Sequence, residues 1–327
     1  MINITDPVAI FFALFGLGSM FLQICELRAM WKLSHSYVGF RFLFHSVVAD
    51  LCLIFLYGPW QALVIMANSE ITPPHYRPFV NILTNTAWWA SCYLSLAVSF
   101  TRLACVRFPI FFQSLREFTC HVICVCIWIW SLCQSIIVNY IPGFERLHYA
   151  QGHYGQTADW EAYVKSFTRW YYMVFNFGII AATFITYGCV VYLCWRQVAK
   201  YVRQIATRSP RNSTMEAKRQ GPLFKKEHKM SVEKRLILPS VISAFLAVAG
   251  QLLIIYPLFP RDWQEGAANL TFMTMILFNS VPRLMFSRPL RHAMSQIVFR
   301  RKVSAITFTP KDLGFTHPTA SRPQTKS

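Results

Sequence analysis

Two charged residues could carry function in this 327-residue chain, because each lies within or at the end of a long apolar segment. Asp50 interrupts one such segment, and Arg102 follows an uncharged run that extends from Pro78 to Thr101. A charge inside lipid is costly, so it usually faces a helix-bundle interior or a water-filled cavity. We expect Asp50 to be the only acid deep within a membrane span. Its function is then conformational or ion-linked, and a buried structural hydrogen bond is the simpler alternative.

Arg102 has two interpretations. A basic residue at the end of an apolar segment often only extends its charge to the lipid phosphates. In the stretch "TRLACVRFP", however, Arg102 is followed by Arg107 and then by Pro109, seven positions after it. Position alone favours simple contact with lipid, and these neighbours argue for a specific role only through the motif resemblance given below.

Other groups in the sequence do not form a chemical site. Cys120, Cys124 and Cys126 lie close together, but thiols on a lipid-embedded helix usually act as small apolar groups. We therefore expect no metal site and no cofactor. The spans contain neither paired acids nor a Ser/His set, which argues against an enzyme.

The composition indicates a membrane protein. The net charge is +18, yet 54% of residues are hydrophobic, only 14% are charged, and the mean hydropathy is +0.35. A nucleic-acid-binding protein needs its basic residues on one face of a folded domain. Here they lie between apolar segments, so we expect membrane lipid as a partner and no nucleic acid.

Seven apolar segments are long enough to cross a bilayer, which takes about 20 residues each. All of them must be helical, because an unpaired backbone is not tolerated in lipid. The expected spans are residues 7–30, 38–68, 78–102, 118–142, 169–196, 236–260 and 266–286.

The distribution of basic residues predicts the topology. If the loops alternate between the two sides, 27 of the 32 Lys and Arg residues lie on one side. The positive-inside rule then places the N-terminus outside and the C-terminus in the cytoplasm. After the last span, residues 287–302 have an amphipathic helical pattern typical of a helix at the inner membrane surface. Residues 303–327 lack periodicity and are expected to form a disordered cytoplasmic tail.

Three short stretches resemble motifs of the rhodopsin-like G-protein-coupled receptors. "TRLACVRFP" resembles their D-R-Y-x-A-I-x-x-P region, with Arg102 and Pro109 as its arginine and proline. "VADL", which contains Asp50, is similar to L-A-x-A-D-L, and "FNSVPRLMF" resembles N-S-x-x-N-P-x-x-Y, with Pro282 as the proline. The three occur in the right spans and order, and the resemblance covers residues 1–302.

The sequence also departs from these motifs. Thr101 stands in place of the acid before the arginine, Leu103 in place of the tyrosine, and Val281 in place of the asparagine before the proline. No cysteine lies in an outer loop, so the usual disulfide is missing. Degraded motifs and the "SRPLRHAM" ending look most like the nematode chemosensory serpentine receptors.

The resemblance implies roles for individual residues on the inner side and in the bundle centre. Arg102, with Arg107 and Pro109, would form the contact with a heterotrimeric G protein. The conformational switch would comprise Asp50, Ser91, Asn279 and Pro282. Because Thr101 replaces the acid, Glu233 is a candidate alternative partner for Arg102.

The resemblance also implies a small-molecule pocket in the outer half of the bundle. Its candidate residues are Thr84, Asn85, Trp88, Tyr172, Asn176, Tyr256 and Met275. Thr84 stands where amine receptors carry an aspartate, so a neutral or apolar ligand is expected.

The sequence therefore predicts an all-α membrane protein, a seven-transmembrane helix bundle with a short amphipathic eighth helix. The expected function is that of a chemosensory G-protein-coupled receptor of the plasma membrane, which transmits binding of an extracellular small molecule to a cytoplasmic G protein. The alternative is a seven-span transporter or membrane enzyme of unknown substrate.

Overall fold

A computed structural model gives the fold of the chain. It describes residues 6–69, 71–141, 143–144, 148–149, 154–157, 162, 165–207, 242, 245 and 261–298. Most of the sixth predicted span and the whole predicted tail lie outside these ranges, as do Tyr256 and Glu233. Residues 242 and 245 of the sixth predicted span are helical.

The described residues are almost entirely helical. The helices are α1 (Pro7–Ser34), α2 (Val38–Phe55), α3 (Gln61–Ala67), α4 (Arg77–Arg107), α5 (Pro109–Ser114), α6 (Glu117–Tyr140), α7 (Phe167–Thr207), α8 (Arg261–Phe286) and α9 (Arg288–Val298). A 3₁₀ turn, Pro74–Tyr76, precedes α4. Two-residue strands β1 (His148–Tyr149) and β2 (Gln156–Thr157) pair antiparallel between α6 and α7.

Five segments of the described chain are long and apolar enough to span a membrane: Pro7–Ser34, Val38–Ala67, Pro74–Arg107, Glu117–Tyr140 and Phe167–Lys200. A sixth candidate combines α8 with α9, which meet at a bend of 101°. The helix α8 is continuous through position 282, and the sharp bend follows Met285. We number the spans as predicted, so that α8 is the seventh, and call the end of the bundle near Arg102 the inner end.

Local sequence signals explain where α1 begins and where the regular helix of the second span is interrupted. Asp6 caps α1, because its side chain accepts hydrogen bonds from the backbone N–H groups of Val8 and Ala9, and Pro7 occupies the first turn. In the second span, α2 and α3 are joined by a π-helical turn, Leu56–Trp60, which contains Pro59. Proline has no backbone N–H, so it disrupts the regular helical ladder at this point.

Glycine allows the first two spans to approach closely. A Cβ atom on Gly58 would lie 2.8 Å from the Cα of Gly16, and one on Gly16 would lie 2.6 Å from the Cδ of Pro59. Small residues at helix crossings in membranes permit this kind of backbone contact.

The α4 helix is central, since it packs against α2, α6 and α7. The α1 helix packs against α2 and against α9 below the bundle. Buried apolar side chains form an inner cluster that includes Met30, Leu94 and Leu290, and an outer cluster that includes Leu53, Tyr57 and Met273. The α9 helix therefore belongs to the packed inner end of the bundle.

Large apolar side chains remain exposed on the outward faces of the spans, as expected for contact with lipid. They include Leu14, Phe21, Ile129, Trp130, Ile137, Val174 and Ile185.

Candidate functional site

A buried ion cluster joins three spans at mid-depth. We define it as Glu26 of α1, Asp50 of α2 and Arg283 of α8. The Nε atom of Arg283 lies 3.0 Å from Oε1 of Glu26, and its Nη2 atom lies 3.5 Å from Oδ2 of Asp50. Both acids are fully buried, and Arg283 is only 8% exposed. Two carboxylates therefore face one guanidinium inside the bundle.

Neutral polar groups surround the ion cluster. The Ser91 hydroxyl donates a hydrogen bond of 2.9 Å to Oδ1 of Asp50, which brings α4 into the arrangement. Ser280 accepts hydrogen bonds from Nη2 of Arg283 at 3.2 Å and from Nε2 of Gln23 at 3.1 Å. The side chain of Asn279 lies within hydrogen-bonding reach of Asp50. Four helices thus contribute to one buried polar network.

The expectation that Asp50 is the only deeply placed acid is wrong. Glu26 follows the uncharged segment directly, and Arg283 follows Pro282 directly, so both looked like residues of the span ends. In the structure α1 and α8 continue past them, and each charge points into the bundle. The sequence contains one signal that Glu26 faces the bundle. Gln23 and Glu26 are three residues apart, so two polar side chains share one helix face.

Arg102 is buried at the inner end of α4, with 3% of its surface exposed. Its guanidinium lies against Gly39 in the first turn of α2, where an added Cβ atom would come within 2.9 Å of Nη1. The hydroxyl of Thr101 donates to the backbone oxygen of Val98 in the same helix. The second span therefore covers the arginine. Glu233, the proposed alternative partner, lies outside the described residues.

Arg107 and Pro109 lie on the exposed surface next to this position. The guanidinium carbon of Arg107 lies 5.2 Å from the centre of the Phe108 ring. Pro109 begins α5, where Ile110 is 86% exposed and Phe111 is 62% exposed. The inner surface thus presents a cation beside apolar side chains.

A histidine cluster at the inner end was not predicted. The rings of His45 and His121 are joined by a hydrogen bond of 2.9 Å between Nε2 and Nδ1. Glu117 lies 3.7 Å from His121 and 3.0 Å from His35. The cluster connects the first loop, α2 and α6.

The predicted pocket residues on α4 and α7 form two interhelical pairs. The indole N–H of Trp88 donates to Oδ1 of Asn176 at 3.1 Å, and the Tyr172 hydroxyl donates to Oδ1 of Asn85 at 2.8 Å. Trp89, which was not predicted, stacks on Tyr172 with ring centres 5.8 Å apart. These contacts fix the third span against the fifth.

The other predicted pocket residues are less closely connected. Thr84 is buried, and its hydroxyl donates to the backbone oxygen of Val80. On α8, Met275 is only half-buried, whereas Met273 is fully buried. Tyr256 lies outside the described residues.

Three aromatic rings form a layer beneath these residues. Phe272 stacks on Tyr57 with ring centres 5.4 Å apart, and it meets Trp88 edge-on at 5.0 Å. We call Tyr57, Trp88 and Phe272 the aromatic floor. It joins the second, third and seventh spans.

Comparison with known proteins identifies the fold. No model of a protein family matches the sequence, and no curated protein matches it. The structure is similar to the crystal structure of squid rhodopsin, with a TM-score of 0.67 and 15% sequence identity, over 94% of this chain and 88% of that one. The predicted fold is therefore confirmed: this chain is a multi-pass membrane protein with the rhodopsin-like seven-transmembrane helix fold.

Proposed function

We propose that the protein is a G-protein-coupled receptor. The observation that carries this proposal is the position of Arg102, buried at the inner end of the third span and covered by Gly39 of the second. A charge held in this way becomes available when the two helices separate. The rhodopsin-like fold supports the same function.

The proposed mechanism is a shift between two packings of the bundle. An agonist that binds one packing better increases its population. In the active packing Arg102 is uncovered for a heterotrimeric G protein, and Arg107 and Pro109 flank the contact. Because coupling between two binding sites is reciprocal, the G protein also raises agonist affinity.

The buried ion cluster is the proposed conformational switch. As the motif resemblance implies, the proposed switch also includes Ser91, Asn279 and Pro282 beside Asp50. Glu26 and Arg283 extend it to the first span. Separation of the helices would leave buried charges uncompensated, at a cost of about 3–5 kcal/mol for a broken pair. The cluster thus favours the packing in which its ion pairs are intact. The binding energy of the agonist and the G protein must compensate for breaking these pairs.

A small extracellular molecule is the proposed ligand. Its pocket comprises the outer halves of the third, fifth, sixth and seventh spans, with Thr84, Asn85, Trp88, Tyr172, Asn176, Tyr256 and Met275 as its candidate residues. The hydrogen-bonded pairs between α4 and α7 would change when a ligand enters between them. This links ligand binding to the helix that carries Arg102.

A chemosensory role at the plasma membrane, with the N-terminus outside and the C-terminus in the cytoplasm, is proposed from the motif resemblance and the distribution of basic residues. We expect the sites to require no metal and no cofactor.

The test is nucleotide exchange by a G-protein α subunit fused to the full-length chain, measured without ligand in wild type and in Arg102→Ala. Because the usual acid before the arginine is absent, we expect measurable basal exchange in wild type and a loss of at least about tenfold in Arg102→Ala. The matched control is Arg28→Ala, which removes an exposed cation at the inner end of α1. Equal exchange in wild type and Arg102→Ala would contradict the proposal.

A further inference from the structure

Two buried carboxamides in the outer half of the bundle have side-chain atoms with no hydrogen-bond partner among the described residues. Gln61, at the start of α3, is fully buried, and neither Nε2 nor Oε1 bonds to any residue that the structure describes. Asn269 of α8 is 4% exposed, and its Nδ2 likewise has no partner among the described residues. Buried polar groups are almost always hydrogen-bonded, because an unmade bond is costly.

The helix contacts place these carboxamides at the same depth. Asp50 lies against Arg283, and further along the second span Tyr57 stacks on Phe272, so this span and α8 run antiparallel. Gln61 follows Tyr57 by about one helical turn, and Asn269 precedes Phe272 by about one turn. Asn269 therefore shares the face of α8 that carries Phe272, and Gln61 directly follows the π-helical turn that contains Tyr57.

Described residues lie on both sides of the two carboxamides along the bundle. The aromatic floor lies one turn below them. One turn above Asn269 is Glu265, and a Cβ atom on Gly155 would lie 2.6 Å from its backbone oxygen. The neighbouring Tyr154 packs against the outer apolar cluster. The loop between α6 and α7 thus covers this end of α8.

We infer that Gln61 and Asn269 are the polar recognition groups of the ligand pocket, and that they bind a small, neutral, planar molecule with a carbonyl next to an N–H. This inference rests on the proposed receptor function and names the ligand class. A carboxamide offers a donor and an acceptor side by side. Gln61 therefore forms two hydrogen bonds with the ligand, one to its carbonyl and one from its N–H. The free N–H of Asn269 donates a further bond.

The residues around Gln61 and Asn269 support the inference that the ligand is planar and neutral. A flat ring above the aromatic floor gains stacking or edge contacts. Gln61 and Asn269 are uncharged, Thr84 places no charge on the facing helix, and the buried Glu265 already has a partner, so a neutral molecule is favoured over an ion. The recognition groups lie on the second and seventh spans.

The first experiment needs no ligand. We compare the melting temperature of the full-length protein in lipid nanodiscs with those of Gln61→Met and Gln134→Met. Gln134 is a buried glutamine whose amide is bonded at both ends, to the hydroxyls of Tyr93 and Tyr171. Loss of unpaired groups should raise the melting temperature of Gln61→Met by a few degrees, whereas Gln134→Met should melt lower. A fall in Gln61→Met equal to that of Gln134→Met would overturn the inference.

The second experiment uses 2-pyridone as a probe and N-methyl-2-pyridone as its control, because the methyl group removes the N–H. We expect 2-pyridone to raise the melting temperature of wild type and the methylated compound to have no effect. In Gln61→Met and in Asn269→Leu, the dissociation constant of 2-pyridone should rise at least about tenfold. Equal stabilisation of wild type and both variants would overturn the site, and no stabilisation of wild type would overturn the ligand class.

Neither experiment contains a G protein. Probe binding that depends on Gln61, combined with no effect of Arg102→Ala on nucleotide exchange, would refute the proposed function and leave the site intact. A loss of nucleotide exchange in Arg102→Ala, combined with probe binding that does not depend on Gln61, would refute the site and leave the proposed function intact.

Discussion

Gly39 and Arg102 are in direct contact at the inner end of the bundle, and the absence of a side chain at position 39 is what admits the guanidinium. An added Cβ atom would lie 2.9 Å from Nη1, closer than non-bonded atoms normally approach. The contact connects the start of the second span to the end of the third. It makes the position of Arg102 sensitive to a single methyl group.

Gly39→Ala should displace Arg102 and raise basal signalling. The obstructing atom is the far end of a flexible side chain, so the cost in folding free energy should stay below about 1 kcal/mol. We expect ligand-free nucleotide exchange to rise several-fold, measured with the fused α subunit. Gly18→Ala is the matched control, because its Cβ atom would meet nothing within 4 Å. Unchanged exchange in Gly39→Ala would show that the contact does not restrain Arg102.

Arg283→Gln should strongly destabilise the protein. It removes the only cation of the ion cluster and leaves Glu26 and Asp50 buried side by side, at a cost of about 3–5 kcal/mol. The melting temperature in nanodiscs should fall accordingly. In the triple variant with Glu26→Gln and Asp50→Asn, most of the loss should be recovered, because no buried charge remains.

The control for this prediction is Arg28→Gln, which alters an exposed arginine on α1. Its free energy of unfolding should lie within about 0.5 kcal/mol of that of wild type. If Arg283→Gln proved as stable as this control, the ion cluster would contribute little to the packing of the first, second and seventh spans.

Gly58→Ala should destabilise the protein because its Cβ atom would lie 2.8 Å from a backbone atom of Gly16, which cannot rotate away. Separation of the first two spans by even a fraction of an ångström disturbs the surrounding core. We expect a loss of about 1–3 kcal/mol, measured by thermal unfolding. Gly178→Ala on α7, which faces open space, should be neutral. Equal melting temperatures for the two variants would contradict the close crossing.

Ile110→Glu should weaken G-protein coupling without affecting stability. The side chain is 86% exposed on α5, next to Arg107, so it contributes nothing to the core. We expect at least a several-fold loss of exchange with an unchanged melting temperature. Gln113→Glu places the same charge on an exposed position of the same helix and should retain exchange. Loss of exchange in both variants would point to a general charge effect.

The fold could be predicted from the sequence because the lengths of the apolar segments and the distribution of Lys and Arg are strong signals in membrane proteins. The motif resemblance implies that Asp50 and Ser91 belong together, and the structure joins them by a hydrogen bond. Arg102 lies in the last turns of α4, where the sequence predicts the third span to end. Its burial against Gly39 depends on the packing of two helices, which the sequence does not specify.

The missing members of the site have a common cause. Glu26 and Arg283 lie near the ends of the predicted spans 7–30 and 266–286, where a charge usually reaches the membrane surface, and the sequence does not show that they face the bundle interior. Gln61 and Asn269 are ordinary polar residues in the sequence. Gln134 is also buried, and only side-chain atoms without a described partner distinguish Gln61 and Asn269 from it.

The short α9 helix has a practical consequence for fusion proteins. Ser287 caps it, and Leu290 and Met294 insert under α1 among the buried residues of the inner cluster. A reporter or α subunit joined directly after Phe286 would delete these side chains and open the underside of the first span. A junction placed after Val298 keeps them, so exchange rates from the two designs should not be compared with each other.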